Sequence, residues 1–345
     1  MLYKTENPHG GDVYEGNIAL DFSANTNPFG TPEGVKAAVS ACLDRLSVYP
    51  DPYCRRLTKA IAAREGVPNE YVLCGAGAAE LIYSFAFAER PGRVAELAPT
   101  FAEYTLPLAG AQMNRFFLKE ENGFRLTADI LDFIGETRPD AVFLCNPNNP
   151  TGAQAEPGLI AEAAKLCRGI NCRLFLDECF MDLADEPISF VPKLNEYPNV
   201  IILKAFTKGF GMAGLRLGCC LSADSGLLSR LSRAAQPWNV STAAQEAGIA
   251  ALSETAFLER TRALIKKERP RMAEGLKKLG LAVFDSGVNF LLVKAAPGLD
   301  ERLLKKGIKI RNCANFHGLA EGFYRIAVKL PEENDSLLEA IKEVI

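Results

Sequence analysis

Lys204-Ala-Phe-Thr-Lys208-Gly-Phe-Gly-Met-Ala-Gly-Leu-Arg216-Leu-Gly218 is the stretch on which the reading of this chain turns. The apolar run Val200-Ile-Ile-Leu203 precedes it and Leu217-Gly-Cys-Cys-Leu221 closes it, each with the makings of a buried strand. Between them lie Lys208, Arg216 and several glycines. A lysine at the end of a buried strand loses solvation, which lowers its pKa and makes its amine a usable nucleophile. Arg216 offers a planar fork for a phosphate, and glycines let backbone and ligand approach closely. An amine for an aldehyde and a cation for a phosphate are what pyridoxal phosphate requires. A solvated lysine on a flexible loop would carry the same letters, so neighbouring segments must decide.

Working outward, strand-like and helix-like segments alternate. Strands are expected at Tyr71–Cys74, Arg93–Ala98, Gln112–Leu118, Ala141–Cys145, Cys172–Asp177 and Val200–Leu203, and helices over Pro32–Leu46, Arg55–Glu65, from Ala78, from Phe101 and near Gly158–Leu166. This alternation predicts an α/β protein whose large domain has a mostly parallel central sheet with helices on both faces. Ligands of such sheets bind beyond the carboxyl ends of the strands, where Gly75–Ala79, Phe101, Asn146–Gly152, Asp177 and Lys208 all fall. After Pro237 the pattern changes: helices over Thr242–Ser253 and Thr255–Leu279, short strands at Leu281–Phe284, Asn289–Val293, Ile308–Arg311 and Tyr324–Val328, and a last helix from Pro331. The expected division is an N-terminal arm (1–30), a large domain (31–235) and a smaller α+β C-terminal domain (236–345). The basic run Lys266–Arg271 reads as a solvated helix face.

The 345 residues suffice for a large core, and a formal charge of -3 argues against nucleic acid or an anionic membrane as partner. No apolar run reaches about 18 residues, and Met1-Leu-Tyr-Lys-Thr-Glu lacks a signal-peptide layout, so a cytoplasmic protein is expected. The ten cysteines are scattered and mostly sit in apolar runs, as small hydrophobes in a reducing compartment do. With two histidines, His9 and His317, a multi-histidine metal centre is not expected.

Each chemical candidate has a bland counterpart. In Cys74-Gly-Ala-Gly-Ala-Ala-Glu80, the N–H groups of Gly77, Ala78 and Ala79 can hold a phosphate at a helix N-terminus. The same letters begin a dinucleotide fingerprint, with Glu96 roughly 20 residues on, but Glu80 occupies the third glycine position. Phe101 could stack on a heteroaromatic ring or belong to the core, and Tyr104 is equally ambiguous. Asn146-Pro-Asn-Asn-Pro-Thr-Gly152 forms a rigid turn from which Asn149 presents an amide suited to a phenolic oxygen. Asp177 ends an apolar strand and wants a cation, for which a protonated pyridine nitrogen would serve; a helix cap or salt bridge would also do. Arg311 and Arg325 each close a strand and together would suit a dianionic substrate.

Taken in order, Asn149-Pro-Thr-Gly152, Asp177-Glu178, Thr207-Lys208 and Gly214-Leu-Arg216-Leu-Gly218 resemble the fold-type I pyridoxal-phosphate-dependent enzymes over nearly the whole chain. The resemblance is strongest to the histidinol-phosphate aminotransferase and threonine-phosphate decarboxylase branches. It implies that Lys208 carries the cofactor covalently, Asp177 pairs with the ring nitrogen, Asn149 bonds the ring hydroxyl and Phe101 stacks on the ring. Gly77, Ala78, Ala79, Thr207 and Arg216 would hold the cofactor phosphate. Tyr49 would reach the neighbouring subunit's phosphate, which implies a homodimer. His9-Gly-Gly11, Asp21–Pro28, Gln236-Pro-Trp-Asn-Val240 and Arg311-Asn-Cys-Ala-Asn315-Phe-His-Gly-Leu319 are similar to the decarboxylase branch. So is Phe180, at a position where the aminotransferases carry tyrosine. Ala79 and Ala205 depart from relatives that have polar groups there, so fewer side-chain contacts to the phosphate are expected. The implied reaction is decarboxylation of L-threonine O-3-phosphate to (R)-1-aminopropan-2-yl phosphate for cobalamin biosynthesis. His9, Gly10, Asn25, Asn149, Arg311 and Arg325 would bind this phosphorylated amino acid. Transamination of histidinol phosphate is the alternative. No metal is implied.

Overall fold

The computed structural model describes residues 9–14 and 16–345. In chain order the elements are β1 (Leu20–Asp21), α1 (Glu33–Ala41), α2 (Arg55–Glu65), β2 (Val72–Gly75), α3 (Ala78–Glu89), β3 (Arg93–Ala98) and β4 (Gln112–Phe117). There follow α4 (Asp129–Thr137), β5 (Ala141–Cys145), α5 (Pro157–Gly169), β6 (Arg173–Asp177), β7 (Val200–Ala205), α6 (Phe206–Gly209), β8 (Gly218–Leu221), α7 (Ser225–Ala234) and α8 (Thr242–Leu252). The remainder is α9 (Thr255–Lys278), β9 (Ala282–Val283), β10 (Phe290–Lys294), α10 (Leu299–Leu304), β11 (Ile308–Lys309), β12 (Arg311–Asn312), β13 (Phe323–Ala327) and α11 (Pro331–Val344).

The large sheet has seven strands in the order β2-β8-β7-β6-β5-β3-β4. Strands β7, β6, β5, β3 and β4 are mutually parallel, and β8 runs antiparallel to both its neighbours. The central strands read as unbroken apolar runs because both faces are covered. Val142, Leu144, Leu174 and Leu176 pack into the cluster that holds Leu57 and Ile61 of α2, Ile134 of α4 and Ala163 of α5. The intervening Phe143, Phe175, Ile201 and Leu203 join Ile82 and Phe85 of α3 and Leu227 and Leu231 of α7. That period-two split is the signature of strands sandwiched between helical layers.

The smaller sheet, β12-β13-β10-β9, is antiparallel and packs Leu291, Val293 and Ile326 against Met272 and Leu276 of α9 and Leu337 and Ile341 of α11. Three departures from the sequence expectations bear on the site. The run Ile308–Arg311 is two strands: β11 pairs in parallel with β1 of the N-terminal arm, and β12 turns onto β13. Helix α8, assigned by sequence to the C-terminal part, packs against α1 and α2, with Ala244, Ala247 and Ala251 in the large core. After Phe101 there is no α-helix but two 3-10 turns, Ala102–Tyr104 and Leu106–Leu108. Pro107 lacks the N–H that a continuing helix needs and its ring clashes with the preceding turn. The basic run is not all solvated either: Arg269 donates to Asp185, and Arg271 to Glu268 and Asp335.

Candidate active site

The carboxyl ends of β5, β6 and β7 open into a cavity of about 380 Å³. Lys208, Asp177, Asn149, Phe101, Thr207, Ala78, Ala79 and Arg216 line it, and so do His9, Gly10, Arg311 and Arg325. Lys208 lies on the short α6, directly after β7, so the strand delivers its amine to the cavity floor. Burial lowers its pKa to about 8, the nearby Arg325 and Arg216 charges adding to the effect. Its Nζ stands 5.7 Å from the centroid of Phe180, an apolar wall that gives no compensating hydrogen bond.

Asp177 ends β6 and is almost fully buried. Tyr104 donates its hydroxyl to Oδ2 at 2.6 Å, and the Cys179 N–H donates to Oδ1 at 2.9 Å. Burial pushes the carboxyl pKa up, while the two donors and the Lys208 charge pull it down. A carboxylate held by neutral donors in a low-dielectric pocket is suited to a cationic N–H partner.

The Asn146–Gly152 turn divides its labour. Asn146 Oδ1 accepts from Ala155 N, and Asn148 bonds Thr100, Pro99 O and Thr151, so both lock the loop. Asn149 faces the cavity, its Oδ1 accepting from Arg325 Nη1, which leaves its NH2 for a ligand.

An anion cradle lies at the start of α3. Gly77 has φ +86°, and a Cβ built there would fall 2.5 Å from Arg216 Nη2; one on Gly218 would fall 2.6 Å from Ala78 N. Only glycine lets the α3 N-terminus and the Arg216 fork close on the same point, a geometry made for phosphate. Glu80 accepts from Ala76 N and Asn239 Nδ2, each at 2.6 Å, and so braces the turn. This also disposes of the dinucleotide reading. Glu80 fills the third glycine position with a bonded carboxylate, and Glu96 is buried in an ion pair with Arg115 at 2.9 Å rather than presented to a ribose.

Arg325 is buried, donating to Asn149 Oδ1 and, at 2.7 Å, to Ser23 O of the arm. Arg311 bonds Asn312 O and Asn315 Oδ1 and lies over the Phe316 ring at 5.2 Å. His9 pairs with Glu103 and packs on Phe101 at 5.7 Å between centroids. Gly10 sits against Ser23, where a Cβ would lie 2.3 Å from the carbonyl oxygen. Asn25 is buried beside this wall with both amide atoms unpaired, and it does not line the cavity. Tyr49 lies apart, in a second cleft, 77% exposed and packed at a tilt against Trp238, 4.8 Å between ring centroids. Tyr104, Cys179, Ser23 and Phe316 are site residues that the sequence reading left ambiguous or did not single out. The aromatic Tyr104, three residues after Phe101, was the one legible signal among them.

An amine of lowered pKa, a buried carboxylate, a ring wall at Phe101, an amide at Asn149 and a glycine-lined phosphate cradle together fit pyridoxal phosphate. The chain belongs to the aminotransferase class I and II family, whose model matches residues 17–341. It is 36% identical to the threonine-phosphate decarboxylase of Salmonella typhimurium, over 98% of this chain and 96% of that one. It is 32% identical to the adenosylcobalamin biosynthesis bifunctional protein CobDQ of Leptospira interrogans, over 97% of this chain and 41% of that longer protein. Among solved structures, the histidinol-phosphate aminotransferase from Clostridium acetobutylicum matches with a TM-score of 0.88 and 30% identity, covering 94% of this chain and 98% of that one.

Proposed function

We propose that the chain is a pyridoxal-phosphate-dependent carboxy-lyase converting L-threonine O-3-phosphate to (R)-1-aminopropan-2-yl phosphate and CO2, a reaction of cobalamin biosynthesis. The observation that carries this reading is the sharing of one cavity by the Lys208 amine and two arginines, one of them buried on neutral partners. The likeness to the Salmonella enzyme supports it. When bound, pyridoxal phosphate supplies an electron sink for the bond broken at the amino acid's α carbon.

The residues divide the remaining work. Lys208 would hold the cofactor through its aldehyde and, once the substrate's amine has taken its place there, its freed amine, lowered by burial to a pKa of about 8, would be the group placed to return a proton to the α carbon. Asp177 would accept from the ring nitrogen, Asn149 would donate to the ring hydroxyl, and Phe101 would cover the ring. Gly77, Ala78, Ala79, Thr207 and Arg216 would hold the cofactor phosphate, joined by Tyr49 from the second subunit of a homodimer. Arg311 and Arg325, with His9, Gly10 and Asn149, would grip the substrate's phosphate and carboxylate, and Asn25, buried outside the cavity, would act only through the arm that carries it. Their grip sets rotation about the N–Cα bond and so selects which α substituent departs. We place the protein in the cytoplasm, in keeping with its ten free thiols; among the described residues no helix is long and apolar enough to cross a membrane.

Transamination of histidinol phosphate is the second reading, favoured by the structural likeness to that aminotransferase. Phe180 weighs against it, having no hydroxyl to offer a ring oxygen. Purified protein loaded with cofactor is expected to release CO2 from threonine phosphate without consuming a keto acid. Amino transfer from histidinol phosphate to 2-oxoglutarate, with no CO2, would overturn the first reading.

A further inference from the structure

Behind Asp177 stands a group that the reaction scheme above does not use. Tyr104 closes the 3-10 turn after β3 and is fully buried. Its ring stacks on Phe143 of β5, 5.0 Å between centroids at 21°, and meets the edge of Phe101 at 5.6 Å and 81°. This packing aims the hydroxyl at Asp177 Oδ2, 2.6 Å away, with the buried Cys145 thiol of β5 beside it. The Cys179 N–H donates to the other carboxylate oxygen and the Cys179 thiol is bonded to the same carboxylate, so each oxygen has its own donor and the carboxylate plane is held.

We propose that Tyr104 is a positioning residue that orients Asp177, keeps it ionised for a cationic ring N–H, and ties it to the Phe101 wall on the opposite side of the same aromatic cluster. The role rests on the cofactor reading given above. A donor to a carboxylate favours its charged form, and the charged form is the one that can accept from a protonated ring nitrogen. Burial and the neighbouring carboxylate hold the phenol's pKa well above its ordinary value, so it remains a donor throughout the working range. A tyrosine kept only for packing would not need its hydroxyl.

The test is a double-mutant cycle on cofactor binding, using apoprotein titrated with pyridoxal phosphate. Tyr104→Phe preserves the ring and its stacking. It is expected to weaken binding about tenfold when Asp177 is present, the size of a lost hydrogen bond to a charge, and to change little in an Asp177→Asn background. Equal affinities for wild type and Tyr104→Phe, or the same loss in both backgrounds, would overturn the proposal. Where Asp177→Asn binds too weakly to titrate, absorbance of the loaded protein against pH decides. A midpoint displaced by about one pH unit in Tyr104→Phe supports the role, and an unmoved midpoint removes it. Wild-type protein that takes up no pyridoxal phosphate would instead overturn the cofactor reading, and this role with it.

Discussion

Arg311 and Arg325 stand directly opposite one another across the ladder joining β12 to β13. Like charges in that register repel. Burial lowers the Arg325 pKa to about 10, with the Arg311 charge contributing. The guanidinium hydrogens of Arg325 go to the oxygens of Asn149 and Ser23, both neutral. Two cations brought together on one wall repel, and under the proposed function an incoming dianion would relieve that repulsion.

Arg325→Met should therefore raise KM for threonine phosphate about tenfold to a hundredfold, the loss of one or two charge-assisted hydrogen bonds. The unliganded variant should melt no lower than wild type, because an uncompensated buried charge has been removed. Steady-state kinetics and thermal melts check both. A destabilised variant with unchanged KM would show the arginine to be structural.

Lys208 titrates in the folded chain at about 8 instead of the ordinary 10.5. Between those values the unfolded chain holds the extra proton, so stability of the cofactor-free protein rises with pH there. Below about pH 8 the burial cost is present in full. Lys208→Met should accordingly melt ~2 °C above apo wild type at pH 7, with the gap closing as pH approaches 10. It should also abolish turnover and borohydride trapping of the cofactor. A gap that widens with pH would contradict this assignment.

Gly77→Ala would drive a methyl group into the Arg216 fork at a backbone φ of +86°. The strain is expected to cost about 1–3 kcal/mol and cofactor affinity should fall at least about tenfold. Denaturant melts and titration with pyridoxal phosphate measure the two effects. Retained affinity would mean that the cradle serves another purpose.

Tyr49 and Trp238 form an exposed aromatic pair, with Leu46 and Val48 nearby in sequence, each 65% exposed. So much apolar surface in one region suits a subunit contact. Trp238→Asp should convert a dimer to monomer and reduce cofactor affinity together, as sedimentation and titration can show. A wild-type chain that sediments as a monomer would refute the subunit role of Tyr49.

The sequence revealed the strand ends because chemistry there interrupts apolar runs: Asp177 after Leu174-Phe-Leu176, and Lys208 soon after Val200–Leu203. It singled out Asn149 from its turn, but the loop-locking work of Asn146 and Asn148 was not legible, since that depends on bonding partners outside the turn. The Arg311–Arg325 register was hidden by the break at Ile310, where one apparent strand serves two partners. Tyr104 was ambiguous for a similar reason. Its neighbours in sequence say that it is buried, while its function depends on Asp177, 73 residues away along the chain. Helix α8 was misplaced because its small apolar residues fit either core; contact with α1 and α2 decides the matter.

The parallel pairing of Leu20–Asp21 with Ile308–Lys309 joins segments made far apart in the order of synthesis. Ser23, among the earliest described residues to leave the ribosome, must wait for Arg325, 302 positions later, before its carbonyl is bonded. A nascent chain paused short of residue 308 could already have folded the phosphate cradle around Gly77 and Arg216, yet would have no wall to select the amino acid. Capture of the vitamin can thus come before substrate choice in the life of each molecule.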